Sequence, residues 1–557
     1  MLMKKAKNKR FWKKVRTNAK YREVIEQIRE FYETTRYEEI PSLSYASRMR
    51  YYDDGDRSEF ERPYFRRRTC VSALGLMALI YPENERYLKE LQELIWAICE
   101  EYSWVLPAHC GNDLEDSLTR IDLFSAETGF TLAEICYMLE DRLDKLILDR
   151  VRAEVEKRIL YNYENGNFWW ETTTNNWSAV CAGNVGGALM YLFPKEFKRL
   201  MPRLVDTMLC LLDGFPEDGT CLEGFSYWHY GFGNYVWFAD LLKQFTDGEI
   251  DLMKKEKVEQ ISGYAQRTFL CGNTTVSFSD GSRTGSVNKM MQNYLADIFP
   301  DSVHPLPAEI TSYPRGNVMW QNFFRNVYYM DLMQEPQELQ KTDIDLQDAG
   351  QVIINRENYS LAVKAGDNEE PHNHNDIGNF IVATKEGQIF CDLGAGRYTR
   401  QYFDPETRYT IFCNGSQSHN VPIINGTYQK EGKNYAGTIF HEGGKITVEM
   451  AGAYEAGTIE KLTREFIYNE NSFQLTDKFT PGYESLIERF VTLETPEIFE
   501  DHVIVKGVKL TFDPEMAKVR VTKESHENHD LSISVINCID FELAKGLETV
   551  TFGFEVV

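Results

Sequence analysis

No run of about 18 apolar residues occurs in the 557-residue chain, so no membrane-spanning helix is expected. The opening MLMKKAKNKRFWKKVRTNAK holds nine basic residues and no acid, but the apolar h-region of a signal peptide is missing. It reads as a solvated, frayed terminus rather than a partner-binding arm. The 11 cysteines are scattered, odd in number and form no CxxC pair. That excludes a recognisable disulfide framework and points to a reducing, cytoplasmic compartment. Basic residues are few, 61 against 85 acidic ones, which leaves a formal net charge of −24. A nucleic-acid or anionic-membrane partner is therefore not expected, and an anionic substrate requires a locally basic cleft. Low-complexity segments and a strong sequence period are also missing.

What is present is a large, ordinary globular composition, 43% apolar and 26% charged, too long for a single core. Aromatics are abundant at 13%, a feature of carbohydrate clefts and of large cores alike. The first half carries helical periodicity. Leu88, Leu91, Leu94, Ile95 and Ile98 follow it, as do Leu143, Leu146, Ile147, Val151, Val155 and Ile159. Similar segments recur to about residue 300, which predicts antiparallel helical hairpins in a bundle or a closed toroid. Pro300, Pro305, Pro307 and Pro314 then crowd together and place a boundary at about 300–316. Beyond it, short alternating runs such as GKITVEM and HVIVKGVKLTF predict an antiparallel β-sandwich. The expected division is residues 1–310, a helical bundle or (α/α) toroid, and 311–557, a β-sandwich.

Four segments could carry chemistry. The chain has only 10 histidines, yet His372, His374 and His419 fall close together. FIVATKEGQIFCD reads as a hairpin turning at Lys385-Glu386-Gly387, which returns Asp392 toward His374. His374, Asp392 and His419 together suit Zn²⁺, although ordinary polar loop ends have the same composition. In NFWWETTTNNWSAV, Trp169, Trp170 and Trp177 flank Asn175 and Asn176. This is either a sugar platform with amide donors or a helix N-cap beside buried indoles. Tyr227 and Tyr230, three apart, share a face on a helix. They are proton-transfer candidates or core aromatics. His109, Arg120 and Glu127 lie in a helical run, where Arg120 either faces an acidic sugar or forms a surface ion pair.

Taken together, these segments resemble the heparinase II/III-like polysaccharide lyases across most of the chain. PHNHNDIGNF, CDLGAGRY and SHNVPIINGTYQ look like the C-terminal signature of that family, and NNWSAV and DGTCLEGFSYWHYG like its N-terminal catalytic segments. The resemblance implies His372 as the catalytic histidine and His374, Asp392 and His419 as ligands of a chiefly structural zinc. It implies Tyr230 as the catalytic tyrosine, with Tyr227 as the alternative register, and Asn176 as the group that neutralises the substrate carboxylate. Asn175, Trp177, Arg120, Glu127, Tyr402 and Arg408 are then expected to contact substrate. Trp177 stands where some members carry histidine, so the mode of carboxylate recognition departs from that pattern. The implied reaction is β-elimination on a uronic acid within an acidic oligosaccharide or polysaccharide, leaving a C4=C5 double bond. Two other readings compete: a glycoside hydrolase using Asp218 and Glu223, and a non-catalytic, metal-stabilised uronide-binding protein. The sequence leaves the particular uronide and endo or exo action open, and allows a homo-oligomer.

Overall fold

The computed structural model describes residues 2–307 and 320–557. Helices fill the N-terminal part, and antiparallel strands follow from Asp343. Several helices start where polar side chains cap them. Asp122 and Ser125 form a reciprocal capping box at Leu123–Met138, and Asn84 caps Glu85–Cys99. Leu91, Leu94, Ile95 and Ile98 turn inward as their spacing predicts. In the next periodic segment Leu143, Ile147, Val151, Val155 and Ile159 are buried, but Leu146 is 62% exposed. Leu123–Met138 and Asn176–Leu192 are buried almost all round and form the centre of the helical unit. Gly186 and Gly187 make that packing possible, because a Cβ at either would lie 2.5 Å from the ring of Phe238 or Phe130.

The basic N-terminus is docked rather than frayed. Phe11, Trp12 and Val15 are buried on one face of Lys9–Thr17, against Tyr328 and Phe324. Lys14 and Lys20 pair with Asp331, and Lys7 with Glu140. The apolar face of this short helix outweighs its charge. The first helices thereby meet the last helix, Trp320–Tyr328, and the helical toroid closes on itself. The expected division at 310/311 lies outside the described residues. Trp320, Phe323, Phe324 and Val327 belong to the helical core, so that unit continues past residue 311. Residues 269–288 are also not helical as expected. They form an irregular loop with isolated bridges, in keeping with their Gly, Ser and Thr content. Among the described residues, no helix is long and apolar enough to cross a membrane.

The β-sandwich comprises sheets of five, nine and four strands among the described residues. Phe380–Thr384 pairs with Gly387–Phe390, as the predicted hairpin requires, with a register shift at Val382/Ala383. Side chains alternate along Phe380–Thr384. Phe380 and Val382 enter the sandwich core, whereas Ile381 and Ala383 meet Leu270, Val276 and Phe278 of the irregular loop. The strand is buried on both faces, and its sequence is accordingly an unbroken apolar run.

A fully buried ion cluster supports the loops above this sheet. Arg464 pairs with Asp477 at 2.6 Å and Glu488 at 2.9 Å, and donates to the carbonyls of Gly378 and Asn420. Arg464→Met leaves two carboxylates buried without their cation. It is expected to destabilise the sandwich by about 3–5 kcal/mol, read as a shifted denaturation midpoint. An unchanged midpoint would contradict this role.

Candidate active site

The site lies between the helical toroid and the sandwich. Asn175 is the N-cap of Asn176–Leu192, its side chain accepting from the Trp177 N–H, so its side chain serves the helix. Asn176 is buried and donates to Glu223 Oε2 at 3.0 Å. Both line a cavity with Leu211, Phe215, Tyr227 and Pro371. His372 follows Pro371, and its ring lies over that of Tyr227 with centroids 4.4 Å apart. Its Nε2 is 3.6 Å from Glu223 Oε2. The backbone of His372 is left-handed, with φ 57°, uncommon outside glycine and the kind of strain concentrated at functional sites.

Of the two candidate tyrosines, Tyr227 is the one the fold brings to His372. The Tyr227 hydroxyl lies 3.5 Å from His372 Nδ1 and 2.7 Å from the Tyr398 hydroxyl. Tyr230 instead donates to Glu127 at 2.7 Å. The two were expected to share a helical face, but a π-helical turn, Trp228–Phe232, follows Tyr227 and alters that spacing. Burial pushes both hydroxyls well above the usual tyrosine range; Asp280 adds to this at Tyr227 and Glu127 at Tyr230. Burial also pushes the Glu127 carboxyl up to about 8.

Other expected contacts divide. Trp177 packs edge-on to His109 at 4.9 Å and beside Trp169 at 4.8 Å, and Trp169 is half exposed. Trp170, by contrast, is core, stacked on Phe168 and bonded to the Ile121 carbonyl. Arg120 is held by Asp116, four residues earlier, as a surface ion pair. Tyr402 does not face the cleft. It is fully buried, and its hydroxyl bonds Asp280. Arg408 bonds the carbonyls of Asn373 and Tyr402, fastening the His372 loop rather than reaching toward substrate. Asp218, one of the two carboxylates of the hydrolase reading, accepts from the Thr220 and Ala349 N–H groups and is thereby committed to the domain junction.

Sequence reasoning missed Asp280, although it lies in the turn-rich stretch SDGSRTG within an otherwise helical region. Its buried carboxylate is within 3.0 Å of His372, His374 and Tyr398. Burial would raise its pKa, but the bonds to the two histidines hold it well below the usual carboxylate range. For His372, burial favours the neutral ring, and the Asp280 bond and charge outweigh it, so its pKa is raised.

His374, Asp392 and His419 converge as the sequence predicts. All are fully buried, with their candidate donor atoms within 4.8 Å of one another. His374 Nδ1 and His419 Nε2 are buried without a hydrogen-bond partner. Such orphaned nitrogens are costly unless something binds them, and two imidazoles with a carboxylate fit a metal ion. Asn379 donates to Asp392 at 2.7 Å, and Asp280 meets His374 Nε2 at 3.0 Å, the kind of outer contact that orients ligands.

Residues 339–535 match the family model described as heparinase II/III-like, C-terminal. No curated protein matches the sequence. Among solved structures, a heparinase III is 13% identical, with 98% of this chain and 91% of that chain covered at a TM-score of 0.62. The heparan sulfate lyase of Pedobacter heparinus is 12% identical, covering 98% and 92% at 0.56. The chondroitin AC lyase of Streptomyces coelicolor A3, solved with chondroitin sulphate, is 10% identical, covering 98% and 82% at 0.55. The likeness to these structures establishes a shared fold, toroid followed by sandwich. The His372 loop, the His374–Asp392–His419 cluster and the sheet beneath them all lie within 339–535, the region that matches the heparinase II/III-like C-terminal family model.

Proposed function

We propose that this protein is a polysaccharide lyase that cleaves uronic-acid-containing glycans by β-elimination. The observation that carries the reading is the meeting of Tyr227, His372 and Asn176 around one cavity between two domains. The fold neighbours named heparinase III, heparan sulfate lyase and chondroitin AC lyase support an acidic glycosaminoglycan as the substrate class. Elimination at a uronic acid requires its carboxylate charge to be damped, so that C5 can release a proton. The Asn176 amide supplies one hydrogen bond. Glu223 lies beside it, bonded to Asn176, with its pKa raised by burial. Of Tyr227 and His372, one accepts the C5 proton and the other protonates O4. The C5–H electron pair becomes the C4=C5 bond as the C4–O4 bond breaks. Trp169 and Trp177 offer aromatic faces to neighbouring sugar rings.

His374, Asp392 and His419 are proposed to hold one Zn²⁺. Bound there, it would tie together the loops carrying His374, Asp392 and His419, a structural rather than a redox contribution. A cytoplasmic location is proposed with it, and fractionation of the native host tests that.

A panel of heparan, hyaluronan, chondroitin and alginate oligosaccharides, read at the ultraviolet absorbance of the unsaturated product with product sizing, tests the activity. Rising absorbance is expected on at least one uronide. New reducing ends without absorbance would identify a hydrolase, and tight binding without cleavage a binding protein.

A further inference from the structure

Asp280 lies on the irregular loop of the helical part, yet the side chains that bond its carboxylate, His372, His374, Tyr398 and Tyr402, belong to the sandwich. The loop is fastened there. Ser277 Oγ donates to the Asp392 carbonyl at 3.0 Å, and Lys364 Nζ lies 3.4 Å from Ser279 Oγ. Ser279 has φ 59°, and a Cβ on Gly394 would lie 1.8 Å from the Gly281 carbonyl oxygen. The two backbones therefore meet in a contact that leaves no room for a side chain. The carboxylate is 3% exposed, and its two oxygens have different neighbours. Oδ2 meets His372 Nδ1 at 2.6 Å and the Tyr398 hydroxyl at 3.0 Å. Oδ1 meets His374 Nε2 at 3.0 Å and the Tyr402 hydroxyl, with Arg408 Nη2 at 3.6 Å.

We propose that Asp280 is a positioning residue whose single carboxylate sets which nitrogen of two histidines faces outward, Nε2 of His372 toward the cleft and Nδ1 of His374 toward the metal donors. A carboxylate only accepts hydrogen bonds, so the ring nitrogen facing each oxygen carries a hydrogen. The opposite nitrogen of each ring is then the one available for chemistry or ligation. For His372 that nitrogen faces Glu223, which lines the cavity. For His374 it is the buried Nδ1 that has no hydrogen-bond partner. The same group thus prepares the proton-transfer histidine and the metal-ligand histidine, two residues apart, from a different domain. The His372 half rests on the lyase reading; the His374 half does not.

Asn at position 280 separates the two halves. Its Nδ2 cannot take the place of Oδ1, where the Arg408, Tyr402 and His374 donors converge. It must face His372 Nδ1, which then has to accept, and the ring hydrogen moves to Nε2. Asp280→Asn is expected to lower kcat on a confirmed uronide by about a hundredfold or more with KM changed less than about threefold. Zinc affinity, measured by chelator competition with Zn²⁺ alone on the full chain, should stay close to wild type in this variant. Asp280→Ala removes both orienting bonds and should also weaken zinc affinity by about 10–100-fold. Full kcat in Asp280→Asn, or wild-type zinc affinity in Asp280→Ala, overturns the proposal. Nitrogen-15 histidine spectra of the wild-type protein need no variant to fold. They should place hydrogens on His372 Nδ1 and His374 Nε2, and a bare nitrogen at either position also overturns it. If the wild-type protein cleaves no uronide, the lyase reading fails by itself, and zinc affinity and the spectra decide the role of Asp280.

Discussion

Tyr227→Phe and His372→Ala are each expected to lower elimination on a confirmed uronide by at least about a hundredfold, the lower end of acid–base contributions. Tyr230→Phe should be milder. Tyr227 and His372 come from different domains, yet their rings are 4.4 Å apart beside the cavity lined by Asn176 and Glu223. Phe keeps the ring contact with His372 and removes the hydroxyl with its contacts to Tyr398 and His372 Nδ1. His372 is 21% exposed and outside the metal cluster, so its truncation should spare the fold. Because these groups act mainly in the transition state, kcat should fall more than KM rises. Tyr230→Phe removes one bond to Glu127 on the helical side and leaves the Tyr227–His372 pair in place. Loss of elimination in Tyr230→Phe with full activity in Tyr227→Phe would reverse the register. Full activity in both Tyr227→Phe and His372→Ala would remove the proposed mechanism.

The second large effect is expected at the metal cluster. Extensively dialysed protein should contain one zinc per chain by elemental analysis, and His374→Ala should lose it. The reason is burial. His374, Asp392 and His419 are fully enclosed, and His374 Nδ1 and His419 Nε2 are left without partners. Burial lowers the pKa of His374, and the Asp280 bond does not fully offset this, which keeps the ring in the neutral form that ligates. Without the ion, polar nitrogens stay buried at the junction of three loops, so His374→Ala should also lower Tm. Asn420, next to His419, bonds the Phe380 carbonyl and the Val491 N–H, so slackening there reaches the strands beneath. Zinc retained in full by the variant, or missing from wild-type protein refolded with Zn²⁺, would contradict the assignment.

Helical periodicity, the proline cluster and the period-2 runs were enough to read a helical domain ahead of a β-sandwich, because each records which side of an element avoids water, whereas the closed toroid was implied by the family resemblance. The metal cluster was legible for a local reason. A two-residue turn fixes the register of Phe380–Thr384 against Gly387–Phe390, and so brings Asp392 back toward His374. Asn176 and His372 were singled out by the resemblance of the motifs that contain them to the heparinase II/III-like segments. Local pattern could not choose between Tyr227 and Tyr230, since a π-turn leaves no distinct mark on apolar spacing. Nor could it show that the basic N-terminus docks against Trp320–Tyr328 to close the ring, because that depends on an apolar face more than 300 residues away. Asp280 is the clearest case. In sequence it is one acid in a turn, 92 residues from His372. Only the packing of the irregular loop against the sandwich brings its carboxylate between two histidines, where burial makes its hydrogen bonds decisive.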